Sequence, residues 1–389
     1  MNILFVADGR SPTAINWIRH FTETGHRVHL VSTFACPPLP GLAGFDVLPV
    51  AFSGAKSASQ SSDTARRMLW SAATLSLRTT LRRWLGPLTI ARAADHLRKI
   101  IQSAQPDLVH AMRIPFEGML AADALANLPL VVSVWGNDFT LHAPSTPLMR
   151  HYTRWTMQVA SALHTDCRRD ARLAAEWGFD PTQPVLVAPG NGGIRTDIFF
   201  PPRTLPAAPV VFNPRGFRAY VRNDNFFKAI PLVLRERPDA RFVCSGMAGE
   251  PQVLRWIDEL GIGAAVDLLP PIPHAEMAAH YRAAQVLVSP STHDGTPNTL
   301  LEGMACGCLP VAGDLESIRE WITDGQNGLL IDSNDPASIA AGILRGLNEP
   351  ALRNQAAQLN AGLVAERAEY SRNMARAEAF YQKVINARR

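Results

Sequence analysis

A chain of 389 residues is too long for one compact core, so two domains are expected. Its 47% apolar and 19% charged residues describe a soluble globular protein, and a net charge of +4 is too modest to mark a nucleic-acid partner. No apolar stretch is long enough to span a bilayer, and five scattered cysteines without metal-ligand spacing imply reduced thiols in a cytoplasmic protein.

Residues 3–7 read as a buried strand ending at Asp8, with no basic leader of the kind a signal peptide carries. A helix over 14–24 stops at Gly25, and a strand over 27–31 follows. Further strands are expected over 46–50, 108–110, 130–135, 162–165 and 185–188, with helices over 64–103, 116–126, 147–160 and 168–177 between them. Within 64–101, eight arginines and lysines from Arg66 to Lys99 face one acid, Asp95, and alternate with Trp70, Leu75, Leu81 and Trp84. That pattern suits a helix lying on anionic lipid, and equally a helix that covers its own domain. Gly190, Gly192, Gly193, Pro201, Pro202, Pro206 and Pro209 then give 189–209 the composition of a linker.

The alternation restarts with strands over 210–213, 241–245, 266–269, 286–289, 309–311 and 328–331. Repeated strand–helix units imply parallel sheets covered on both faces. The fold expected is α/β: two Rossmann-like domains facing across a cleft, over 1–195 and 196–369, with a helix over 370–389 returning to the first.

The densest chemistry lies at 293–311. Asp294 and Glu302 stand eight apart around Gly295-Thr296-Pro297, which feeds a helix start, and Cys306-Gly307-Cys308-Leu309-Pro310-Val311 leads out to a strand. A glycine-containing loop entering a helix N-terminus suits a phosphate, with one acid on either side of it. The bland alternative is a solvated acid before a capped helix.

This frame, Asp294-Gly295-Thr296-Pro297 then Glu302-Gly303-Met304-Ala305 through Val311, resembles the signature of retaining GT-B glycosyltransferases of family four. Asp294 stands where that family usually has Glu, and Gly303 where it has Ala. Asn2-Ile3-Leu4-Phe5-Val6, Pro106-Asp107-Leu108-Val109-His110-Ala111, Pro189-Gly190-Asn191-Gly192-Gly193-Ile194 and Asp324-Gly325-Gln326-Asn327-Gly328 extend the likeness over nearly the whole chain.

The resemblance implies a nucleotide-sugar donor on the C-terminal domain and an acceptor on the N-terminal one. Glu302 would hold the ribose and Asp294 the sugar, while the amides of Gly295, Thr296, Pro297-Asn298, Thr299 and Leu300 surround the diphosphate. Arg215 aligns with a diphosphate clamp. The family's lysine five residues on is replaced by Tyr220, so Arg218 or Arg222 would substitute. Gly246 and Ile272 are expected near the base, and Gly9 and Arg10 opposite the donor. Asp138, after Trp135-Gly136-Asn137, either meets the acceptor hydroxyl or caps a helix, and His110 either faces the cleft or is structural. Catalytic roles therefore fall to Asp294, Arg215 and Asp138.

The implied activity is metal-independent, retaining transfer of a hexose to a glycan, lipid or small-molecule hydroxyl, with a UDP-sugar favoured over GDP-mannose. No cofactor beyond the donor substrate is expected. Peripheral contact with the inner membrane face through 64–101 fits the same picture. A non-catalytic nucleotide-sugar-binding subunit and a sugar-nucleotide epimerase on the same fold are the rivals.

Overall fold

The computed structural model describes residues 1–53, 80, 82–125, 127–218 and 220–387. The chain divides into two compact units, one of residues 1–192 with 374–389 and one of 193–373.

Among the described residues of the first unit, seven parallel strands run in the order β3-β2-β1-β4-β5-β6-β7. They are β1 (Asn2–Ala7), β2 (Arg27–Ser32), β3 (Gly44–Val47), β4 (Leu108–Ala111), β5 (Leu130–Val134), β6 (Ala162–Thr165) and β7 (Val185–Val187). β1, β4, β5 and β6 are almost wholly buried, as expected of short apolar runs covered on both faces. Ile3 faces Val28 on one neighbour and Leu108 on the other. The strand expected over 46–50 lies earlier. Gly44 sits against the His29 ring, where a Cβ would fall 2.3 Å from Nδ1, and His29 Nε2 lies 2.7 Å from Asp46 Oδ2.

Of the helix expected over 64–103, the part over 64–79 and Leu81 lie outside the described residues. A 3-10 turn (Gly86–Thr89) leads into the helix Ile90–Ala104. Its stripe of Ile90, Ala93, Ala94, Leu97 and Ile101 is buried in the core, while Arg92, Arg98 and Lys99 face outward. This helix covers its own sheet, so its apolar face is not available to lipid.

The C-terminal helix Tyr370–Asn386 brings Tyr381 into the first unit's core. There the phenol joins a buried chain of hydrogen bonds. His164 Nε2 donates to the Ala188 carbonyl at 3.0 Å, so its Nδ1 must accept from Ser133 Oγ at 2.9 Å. Ser133 Oγ then accepts from His110 Nε2 at 2.8 Å, and His110 Nδ1 accepts from Tyr381, whose oxygen takes the Trp17 indole N–H at 2.9 Å. Every group is satisfied only with both imidazoles neutral. His110 is thus a structural histidine.

Burial pushes His164 down to about 4 and His110 well below its ordinary value. Above pH 6.5 neither native nor unfolded chain protonates these rings. Between 6.5 and about 4 only the unfolded chain protonates His164, so as pH falls through that window stability should drop by about 1.4 kcal/mol per unit on its account, and His110 contributes with the same sign below 6.5. Urea midpoints measured from pH 7.5 to 5 test this. A His164→Gln variant should be less stable at pH 7.5 but have a visibly flatter slope; an unchanged slope refutes the assignment.

In the second unit six parallel strands run β10-β9-β8-β11-β12-β13. They are β8 (Val210–Asn213), β9 (Arg241–Cys244), β10 (Val266–Leu268), β11 (Val286–Ser289), β12 (Leu309–Gly313) and β13 (Leu329–Ile331). One face packs on Phe226, Phe227, Ile230 and Ile339, the other on Phe199, Tyr281, Leu300 and Met304. The helix Asn298–Ala305 lies close on its sheet because Gly303 has no side chain: a Cβ there would be 2.7 Å from Leu287 Cδ2. Strand order reverses between β1 and β4 in the first unit and between β8 and β11 in the second. Loops leaving the carboxyl ends of such strand pairs diverge and open a crevice for a ligand.

Candidate functional site

In the second unit, Arg215 follows β8 and Asp294 follows β11, so both stand at the point where strand order reverses. Asn213 Oδ1 accepts the Arg215 amide at 3.1 Å, and the Asn223 side chain holds the Gly216 carbonyl at 3.0 Å, which fixes the Arg215 loop. The buried guanidinium donates from Nη2 to Asp294 Oδ2 at 2.5 Å and from Nη1 to Thr299 Oγ1 at 3.1 Å. Its Nε is buried without an acceptor. Ser317 Oγ donates to the Asp294 carbonyl at 2.7 Å and steadies that loop.

The helix Asn298–Ala305 begins after Pro297 with no side-chain cap and no acid in its first turn, and Asn298 Oδ1 is buried without a donor. An uncapped N-terminus beside an arginine with a spare N–H can take an anion. Not every residue expected there has a free group. Thr296 Oγ1 already accepts the Trp321 indole N–H at 2.9 Å. Leu300 is fully buried, and its amide turns back to the Pro297 carbonyl at 3.0 Å.

Glu302, three residues after Thr299, shares its helix face. Its buried carboxylate accepts from Tyr281 Oη at 2.8 Å and lies 2.7 Å from His274 Nε2. That hydrogen bond raises the pKa of His274 against the effect of its partial burial. His274 and Tyr281 escaped the sequence reading. Their seven-residue spacing, two turns along one face of the helix His274–Ala283, was the available signal. Half-buried Ile272 precedes that helix, and Gly246 and Gly216 (φ +67° each) bring bare backbone together, a Cβ on Gly246 lying 3.8 Å from Gly216 Cα.

Three of the residues expected to contact ligands are engaged within the protein. Arg222 is committed elsewhere: Asp224, two residues on, takes it bidentately at 3.0 and 2.9 Å, and Asn334 takes its Nη1. Arg218 is exposed and bonds only Tyr220 Oη, at 3.0 Å, among the described residues. In the first unit the Gly9 amide donates to Ser32 Oγ at 3.0 Å, and a Cβ there would sit 2.5 Å from Cys36 Sγ. Packing after β1 leaves no room for a side chain at that position. Asp138 is shut away from solvent, accepting from Arg113 Nε at 2.9 Å and from the Trp135 and Ile114 amides at 3.2 and 3.4 Å. It braces the loops after β4 and β5, and burial raises its pKa despite Arg113.

Those loops wall a cavity of about 390 Å³ at the first unit's own reversal point, with Asp8 and Arg10 on the opposite side. Arg10 is exposed, paired bidentately with Asp8 at 3.0 Å and stacked 3.6 Å above the Phe34 ring.

The model of the "Glycosyl transferase 4-like domain" matches residues 9–190, and that of "Glycosyl transferases group 1" matches 195–361. A D-inositol 3-phosphate glycosyltransferase of Thermobispora bispora is 30% identical over 250 residues, covering 59% of this chain and 57% of that protein. The chain thus spans little more than half the length of that relative. Among solved structures, sucrose-phosphate synthase from Thermosynechococcus elongatus superposes with a TM-score of 0.75 at 14% identity, over 100% of both chains. Anabaena HepE in complex with UDP-glucose gives 0.71 at 15% identity, over 98% of this chain and 99% of that one. At such identities the structural likeness carries the fold, which is GT-B. With one glycosyl transferase model lying within each unit, the chain belongs to the group 1 glycosyltransferases.

Proposed function

We propose that the protein transfers a hexose from a nucleotide diphosphate donor to an acceptor hydroxyl with retention of configuration, UDP-sugars being favoured over GDP-mannose. The observation that carries the reading is the joint placement of Arg215, Asp294, Thr299 and the uncapped helix start at one strand reversal, with Glu302 on the same helix face. In this reading Glu302 holds the ribose, Asp294 a sugar hydroxyl, and the Asn298 and Thr299 amides with Arg215 the diphosphate. A positive site built before the reaction stabilises charge as it develops on the leaving diphosphate. The freed phosphate oxygen then helps deprotonate the acceptor on the same face. The UDP-glucose bound by HepE favours uridine. If the acceptor is lipid-borne, exposed Trp84, Leu85 and Leu88 are where this unit would meet the bilayer.

Thermal unfolding with UDP, UDP-glucose and GDP-mannose tests the reading. A diphosphate at 100 times its Kd should stabilise the protein by about 2.7 kcal/mol, with the uridine compounds ahead. Slow donor hydrolysis without an acceptor should accompany binding; release of an epimerised free sugar would instead favour the epimerase. No shift with any nucleotide diphosphate sinks the proposal.

A further inference from the structure

We propose that the first unit carries a docking surface for an anionic lipid bilayer, formed by the turn over 84–88 and the outer face of the helix Pro147–Val159. Such a surface is independent of the donor site and of the transferase reading. Two stretches without a single aspartate or glutamate supply it, 64–94 and 139–165. The fold brings the described part of one against the other. Thr146 Oγ1 caps the helix by accepting the Met149 amide at 3.1 Å, and it donates to the Arg83 carbonyl at 3.2 Å. Trp84, Arg150, His151 and Arg154 then line one open groove of about 380 Å³.

The helix Pro147–Val159 has two unlike sides. Met149, Thr153, Thr156 and Met157 are buried, while Arg150, His151, Arg154 and Trp155 are exposed. Arg150 and Arg154 make no side-chain hydrogen bond or ion pair among the described residues, and the Arg154 Cζ lies 5.9 Å from the Trp177 centroid. Asp95 and Asp138, which border the acid-free stretches, are already taken by Arg98 and Arg113. Beside this cationic face Trp84 is 52%, Leu88 63% and Trp155 43% exposed. Gly86 seats the turn on the core, since a Cβ there would lie 2.8 Å from Ala51 Cβ, and Trp84, Leu85 and Leu88 are left outside.

The pairing of exposed apolar side chains with cations that lack an acid selects the partner. Tryptophan and leucine settle at the boundary between headgroups and acyl chains, and arginines beside them reach the lipid phosphates. A nucleic acid would use Arg150 and Arg154 and leave Leu85 and Leu88 in water. An apolar protein surface would cover the leucines and leave the arginines unmatched. An anionic bilayer satisfies both, because its phosphates lie in a plane above an apolar layer.

Co-sedimentation of the full-length protein with vesicles, in the absence of nucleotide, tests this. One set is phosphatidylcholine alone, the other phosphatidylcholine with an equal part of phosphatidylglycerol. The mixed vesicles should be bound at least about tenfold more tightly, and added salt should weaken that binding. Arg150→Gln and Arg154→Gln should each weaken it about fivefold, and Trp84→Ser/Leu88→Ser about tenfold or more, with unchanged thermal midpoints reporting correct folding. Lipids with brominated acyl chains should quench the tryptophan fluorescence of the wild type more than that of Trp84→Phe. No binding to mixed vesicles, equal binding to both compositions, or undiminished binding in the Arg150→Gln/Arg154→Gln and Trp84→Ser/Leu88→Ser variants overturns the surface. Tighter binding to a DNA duplex, lost in the same arginine variants, overturns it in favour of a nucleic acid. Vesicle binding without any UDP binding would sink the transferase reading and leave the docking surface standing.

Discussion

Replacing Arg215 by alanine should lower kcat/KM for sugar transfer by about 10²- to 10³-fold, the loss typical when one preorganised donor to a developing anion is removed. Arg215 is buried between Asp294 and Thr299, and its Nε has no acceptor in the protein. The spare donor matters: a guanidinium wholly consumed by internal bonds would have nothing to offer a phosphate. Arg215→Lys keeps the charge but loses the fork that spans Asp294 and Thr299 while presenting a further N–H, so it should recover at most about a tenth of the activity. Arg215→Ala also strips Asp294 of its cation, and some loss of stability should accompany the kinetic loss. Single-turnover kinetics at saturating donor separates the two effects. If the chemical step of Arg215→Ala stays within about threefold of wild type, the clamp is not Arg215.

How much of this was legible in the chain depends on the range of the interaction. The two parallel sheets could be read because strands such as β1 and β5 are short, unbroken apolar runs and because Gly25 and the Gly/Pro stretch punctuate them. The pairing of Arg215 with the Asp294 loop could be anticipated only through resemblance, since 79 residues separate the partners. The commitment of Arg222 was, by contrast, local: Asp224 two positions on was visible as a competitor for the guanidinium. The His110 chain was illegible for the opposite reason, because Tyr381 lies 271 residues away and neither residue type signals a partner. Gly9 and Asp138 sit in ligand-like loops but are consumed by packing and bracing, which only tertiary contacts reveal. By spacing Arg82 and Arg83 belong to a basic amphipathic segment; that both line the first unit's cavity is a tertiary property their spacing does not carry.

The Glu302→Ala variant should bind UDP about 100-fold more weakly, corresponding to two hydrogen bonds from ribose hydroxyls to a charged acceptor. Glu302 suits that role because its helix is rigid and its carboxylate is held on one side by Tyr281 Oη. Its other oxygen carries His274, which is largely exposed and can swing aside. Ribose and His274 then compete for one carboxylate oxygen, and the competition has a definite pH sign. The hydrogen bond to Glu302 raises the His274 pKa in the free protein; displacement by ribose returns it toward the ordinary value, so binding releases a proton. UDP affinity should therefore weaken as pH falls through the raised pKa of His274 and level off above it. Calorimetry in two buffers of different ionisation enthalpy measures the released proton. His274→Ala should abolish that release and tighten UDP binding several-fold at pH 6, while Tyr281→Phe should lower stability without removing the pH effect. Unchanged UDP affinity in Glu302→Ala, with the fold intact, would move the ribose away from this helix.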